Sequence, residues 1–260
     1  MPRIDQEPSF VLHRRSYRES SLLVELMTRD HGRVGLVAKG ARRTSSRARG
    51  MLEPFQPLLV SWVGKGELGT LTGADRVRAA APLTGERLVS GLYINELMYR
   101  LCGRHDPYPE LFASYSLALE GLRSDAQLET GLRVFEKRLL DALGYGLVLT
   151  RTADTEQPVK QEETYRYHPE SGPVLVESGG RAGCRANKKL VPAQTEEARG
   201  STLEVTGATL LALAREELHD EALLPEAKRL MRATLRQHLG DRPLASREIF
   251  RGLSSRAQAS

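Results

Sequence analysis

The sequence predicts an α+β chain: a small five-stranded β-barrel at the N-terminus, then a mainly α-helical domain that carries a small β-hairpin insert. Three observations predict it. Between residues 9 and 80, apolar and polar side chains alternate in short runs punctuated by glycines. After Pro82 the apolar spacing changes to three and four. Between about 150 and 200 the alternation returns once, around two tyrosines, before helical spacing resumes.

"SFVLHRR" reads as the first strand. "SSLLVELMT" is the second, with Leu22, Val24 and Leu26 on one side and Leu23, Glu25 and Met27 on the other. "RDHG" is a turn, and "RVGLVAKG" returns with Val34, Leu36 and Ala38 alternating against Arg33, Gly35, Val37 and Lys39. "PLLVSWV" is a fourth strand, and "KGELGTLTGADRVRA" supplies one or two more around glycine turns. Five or so short strands within about 70 residues match the size of an OB-fold, whose closure removes exposed edges.

The helical part follows the same logic. Val89, Tyr93, Leu97 and Leu101 step by four. Phe112, Tyr115, Leu119 and Leu122 form a second stripe. Leu128, Leu132, Phe135, Leu139 and Leu143 form a third, with Gly144 as its stop. Further helices are expected over 207–219 and 225–239, the latter with Pro225 in its first turn. In the insert, "TYRYHPESGPVLVE" reads as a hairpin. The expected organisation is therefore a barrel over 1–80, a helical domain over 81–250 with its insert at 150–200, and a mobile tail over 251–260.

Charge is distributed unevenly. Residues 1–80 hold 14 Lys and Arg against 8 Asp and Glu, a balance of +6, while the remaining residues hold 24 against 25. "AKGARRTSSRARG" concentrates Lys39, Arg42, Arg43, Arg47 and Arg49 in the loop between the third and fourth strands, with no acid among them. Such a loop suits a polyanion: arginine forks onto phosphate oxygens and stacks on bases. Single-strand binders add aromatic platforms. Of the barrel's aromatics, Trp62 and Phe55 read as packing residues, Tyr17 as a platform beside Arg18, and Phe10 as either.

Enzyme signals fail one by one. Gly64, Gly66 and Gly69 spell G-x-G-x-x-G, but β-like residues follow where a dinucleotide site needs a helix. Gly35 and Gly40 have P-loop spacing, yet Ala41 stands where the motif needs lysine. No G-x-S-x-G or H-E-x-x-H occurs, and Cys102 and Cys184 cannot make up a four-ligand zinc site. Two remote cysteines, no apolar signal segment and no 18-residue apolar run lead us to expect a cytoplasmic chain with no membrane contact.

"FVLHRRSYRESSLLVELMTRDHGRVGLVAKGARR", "LEPFQPLLVSW", "SGLYINELMYRL", "YPELFASY", "FEKRLLDALGYG", "TYRYHPESG" and "PLASREIFR" together resemble the bacterial RecO family of DNA repair and recombination mediators. The resemblance runs in order from about residue 9 to 251. It implies an OB-fold followed by a helical domain, and a non-enzymatic activity with no cofactor. Its partners would be single- and double-stranded DNA, RecR, the acidic apolar C-terminal tail of the single-strand-binding protein SSB and, indirectly, RecA. It implies a nucleoid-associated cytoplasmic location. Many members carry a four-cysteine zinc site after the third helix; this chain has only Cys184 there, so no metal is expected.

The DNA contacts implied are Arg33, Lys39, Arg42, Arg43, Arg47 and Arg49, with Arg14, Arg15, Arg18 and Tyr17 beside them. For the SSB tail, the third helix offers Leu132, Phe135 and Leu139 as an apolar surface and Arg133 and Lys137, one turn apart, as cations. Three other readings stay open on the residues alone: an RNA-binding OB-fold protein, a protein-only scaffold whose basic loop meets an acidic partner, or a nuclease that none of these motifs reveals.

Overall fold

The computed structural model describes residues 2–43, 50–64, 66–124, 127–176, 202–240, 242–246 and 248–249. By compactness it divides into two units, residues 1–132 with 241–260, and residues 133–240.

The first unit is built on a closed barrel of β1 (Arg3–Tyr17), β2 (Ser21–Thr28), β3 (Gly32–Ala38), β4 (Leu58–Val63) and β5 (Leu68–Arg76), in the order β1-β2-β3-β5-β4. All neighbours are antiparallel except β3 and β5, which run parallel. This order with one parallel pair is the OB-fold arrangement. β1 closes the barrel by serving two neighbours. Its first part, Arg3–Ser9, pairs with β4, and its second, Ser9–Tyr17, pairs with β2. The strand begins six residues before the expected "SFVLHRR", because the irregular register near Ile4–Glu7 lets it bend past Pro8. "KGELGTLTGADRVRA" gives one strand, β5.

The alternation read from the sequence decides what fills the barrel. Val24, Leu26, Val34, Leu36, Ala38, Val60 and Trp62 form its core. Odd-numbered residues of β2 and β3 face outward. Gly64, Gly66 and Gly69 sit at the β4–β5 connection, where Val63 pairs with Thr70, so the G-x-G-x-x-G match is a hairpin.

α1 (Gly85–Leu101) and α2 (Pro109–Gly121) pack in the same unit. Asn95 of α1 is buried; its amide donates to the carbonyls of Val11 and Leu12 at 3.3 and 3.1 Å, and its oxygen accepts from the Tyr115 hydroxyl at 2.6 Å. Phe10 packs on Phe112 and Tyr115. Residues 242–246 return to α1, where Glu96 accepts from the Ala245 and Ser246 amides.

α3 (Leu128–Ala142) ends before Gly144, which has φ +81°. In the second unit β6 (Thr164–His168) and β7 (Gly172–Leu175) make the expected hairpin, and β8 (Leu203–Thr206) adds a third strand in the order β7-β6-β8. Tyr165, Tyr167 and Val205 point into this unit's core. α4 (Gly207–Arg215) is capped by the Thr206 hydroxyl, and α5 (Leu224–Leu239) follows a short 3-10 turn. The tail expected over 251–260 lies outside the described residues.

Candidate nucleic-acid interface

Register brings the barrel's cations together. Tyr17 pairs with Ser21, and Leu22 pairs with Ala38, so the β1–β2 turn and the exit of β3 lie at one end. The stem of the basic loop is fastened to that turn. Arg42 donates its amide to the Ser20 carbonyl at 2.9 Å and its Nη1 to the carbonyls of Arg18 and Glu19 at 3.3 and 3.1 Å. Ala41 plugs into the barrel core, and Gly40, at φ +68°, supplies the left-handed step that turns the chain over it. Lys39, Arg42 and Arg43 are left exposed around that plug. Arg18 lies over the Tyr17 ring at 5.3 Å, and Arg15 is exposed two residues before Tyr17 on the same side of β1.

Among the described residues, none of Arg15, Arg18, Lys39, Arg42 and Arg43 makes an ion pair. Arg42 spends part of its hydrogen-bonding capacity on carbonyls, which leaves its charge uncompensated. A groove of about 330 Å³ runs from Lys39 past Met51 to Thr72 and Gly73 of β5. Arg76, at the end of β5, holds the far end of the loop by donating to the Gly50 carbonyl at 2.9 Å. Sequence reasoning missed Arg76; its place in the last basic strand beside the loop was the available signal.

The other candidates lie elsewhere. Arg33 is committed inside the unit. It donates to Glu25 Oε2 at 3.2 Å and to the Cys102 carbonyl at 3.1 Å, and lies over the Tyr99 ring at 5.0 Å. The buried Glu25 also binds Arg104. Arg14 is paired with Glu53 at 2.7 Å. Arg47 and Arg49 lie outside the described residues, as does Cys184; among the described residues no cluster of His, Cys, Asp and Glu could hold a metal. Phe10, Phe55 and Trp62 are buried, so Tyr17 is the one of the four barrel aromatics that accompanies the cations.

On α3 the apolar trio forms no open surface: Leu132, Phe135 and Leu139 are interior. Arg133 is also buried and donates to Glu136 at 2.7 Å. Lys137 donates to Asp141 at 2.9 Å and to Glu216 at 3.2 Å. Burial works against its ammonium, but these two carboxylates outweigh it and raise its pKa. The i,i+4 spacing that places two cations on one face cannot show that acids already hold them.

The fold and this surface define an OB-fold protein whose barrel carries a cluster of unpaired cations. The family model "Recombination protein O N terminal" matches residues 1–80, and "Recombination protein O C terminal" matches residues 82–248. The chain is 48% identical to a DNA repair protein RecO of Alkalilimnicola ehrlichii, covering 99% of this chain and 95% of the relative. It is 45% identical to that of Nitrosococcus oceani, over 96% and 94%, and 43% identical to that of Methylococcus capsulatus, over 97% and 95%. The chain belongs to the RecO family of DNA repair proteins.

Proposed function

We propose that this chain is a non-enzymatic recombination mediator that binds single- and double-stranded DNA, anneals complementary strands and, with RecR, helps load RecA onto SSB-coated strands. One observation carries the reading: Arg15, Arg18, Lys39, Arg42 and Arg43 meet at one barrel end and make no ion pair among the described residues. A sugar-phosphate chain supplies that charge and releases counterions as it does so. Two strands held at one cationic surface lose much of their mutual repulsion, so complementary bases can pair. Family membership supports DNA over RNA as the polyanion.

The SSB tail raises the local concentration of mediator at covered strands. On α3 it would act through Lys137 by exchange. Asp141 is 42% exposed and is the replaceable partner, whereas Glu216 stays between Lys137 and Arg138.

Annealing of SSB-coated complementary strands tests the proposal, with tailless SSB as control. The variant R42A/R43A/R47A/R49A should lose annealing while unfolding at the native temperature. A folded variant that anneals at the native rate would overturn the DNA reading and favour a protein-only scaffold. Equal affinity for matched RNA and DNA oligomers would instead favour the RNA-binding reading.

A further inference from the structure

We infer that a cavity on the outer face of the barrel is a subsite for one unstacked nucleobase of a single strand, with Tyr99 as its platform. The inference rests on the DNA-binding reading above. The cavity measures about 220 Å³ and lies between β1, β2 and the end of α1. Leu23 and Leu68 give it apolar surface, and His13, Arg15, Tyr99 and Arg104 stand around it with Glu25 and Glu67. Pockets that enclose drug-sized molecules measure roughly 300–1,000 Å³, so this one suits a single small ring system.

Its chemistry favours a base over a phosphate. Glu25 is buried and lies within ion-pair distance of both Arg33 and Arg104, so Arg104 is neutralised and Arg15 is the one lining cation that makes no ion pair among the described residues. What remains is polar and flat. Tyr99 is 37% exposed as a residue, and the ring of the exposed His13 lies 5.6 Å from its ring at an interplanar angle of 36°. Arg33 stacks its guanidinium on Tyr99 at 5.0 Å, which fixes the ring in place. Aromatic stacking of this kind accepts any base, because every base has a π-face.

The cavity is also connected to the cation cluster. Arg15 lines it and stands two residues from Tyr17 on the same side of β1; His13 stands two residues the other way. A strand whose phosphates lie on Arg18, Lys39, Arg42 and Arg43 can follow Tyr17, Arg15 and His13 along β1 and place one base against Tyr99. A paired, stacked base cannot enter, so this subsite gives the barrel a preference for single strands that phosphate contacts alone do not supply.

Three probes of equal length test this with the full chain: a single strand of thymidines, the same strand with a central run of abasic sites, and a duplex. The native protein should bind the thymidine strand about tenfold tighter than the abasic one. Tyr99→Ala should remove that discrimination and leave duplex affinity unchanged, and Tyr99→Phe should retain it. His13→Ala, at an exposed position, should reduce it and serves as the test if Tyr99→Ala fails to fold. Equal native affinity for thymidine and abasic strands would overturn the subsite alone, as would undiminished discrimination in a folded Tyr99→Ala or His13→Ala protein. No binding to any of the three probes would overturn the DNA reading as well.

Discussion

Removing Lys39, Arg42 and Arg43 together should change the salt dependence of single-strand binding by a calculable amount. Each is exposed and makes no ion pair among the described residues, so each can neutralise one phosphate. A phosphate contact on a single strand contributes about −0.7 to the slope of log K against log salt. The five clustered cations then give a native slope of about −3.5, or about a hundredfold loss of affinity between 50 and 200 mM salt. K39A/R42A/R43A should show a slope shallower by about 2.1. That difference holds whatever Arg47 and Arg49 contribute, because both remain in the variant. Anisotropy of a labelled oligothymidine at four salt concentrations measures it. A variant whose slope stays within about 0.5 of the native one would show that phosphates are neutralised elsewhere and refute the assignment of this barrel end.

Two further outcomes concern the folded chain. Gly32 has φ +65°, and a Cβ there would stand 2.0 Å from the Asp106 carbonyl oxygen, so Gly32→Ala should cost about 3 kcal/mol or more in urea unfolding; Gly50→Ala, with open space around it, should be near neutral. Burial raises the Glu216 carboxyl pKa, but the bonds from Arg138 and Lys137 outweigh this and hold it below its ordinary 4.5. Its contribution is therefore present above about pH 4.5 and is lost as pH falls through the depressed folded value. Melting temperature recorded from pH 7 to pH 3 should fall less steeply in Glu216→Gln than in the native chain, and parallel curves would disprove the linkage.

The barrel was legible because period-two alternation over 22–27 and 33–39 assigns each side chain to a face, and the "RDHG" turn leaves few registers open. The beginning of β1 was not legible, since Pro2, Pro8 and the charges between them read as loop. β8 has four residues, too few for a pattern to stand out. Asn95 sits off the Val89–Leu97 stripe, and nothing local says that two carbonyls of β1 await its amide. The site divides in the same way. That Lys39, Arg42 and Arg43 are exposed follows from a glycine-flanked loop without acids. That Arg33 is spoken for depends on Glu25, across the hairpin, and that Arg14 is paired depends on Glu53, far along the chain. Tyr99 fell within a helix read for its apolar stripe, where an aromatic off the stripe looks like surface.

The seam between Arg3–Ser9 and β4 has a practical side. A chain shortened by its first nine residues would not have lost a tail; it would have lost a stave. β4 would then present a bare row of amides and carbonyls, with the indole of Trp62 behind them, to whatever strand came near. Proteolytic nicking ahead of Phe10 should therefore produce clumping rather than a smaller working protein, and anyone trimming this molecule is better served by leaving those residues in place.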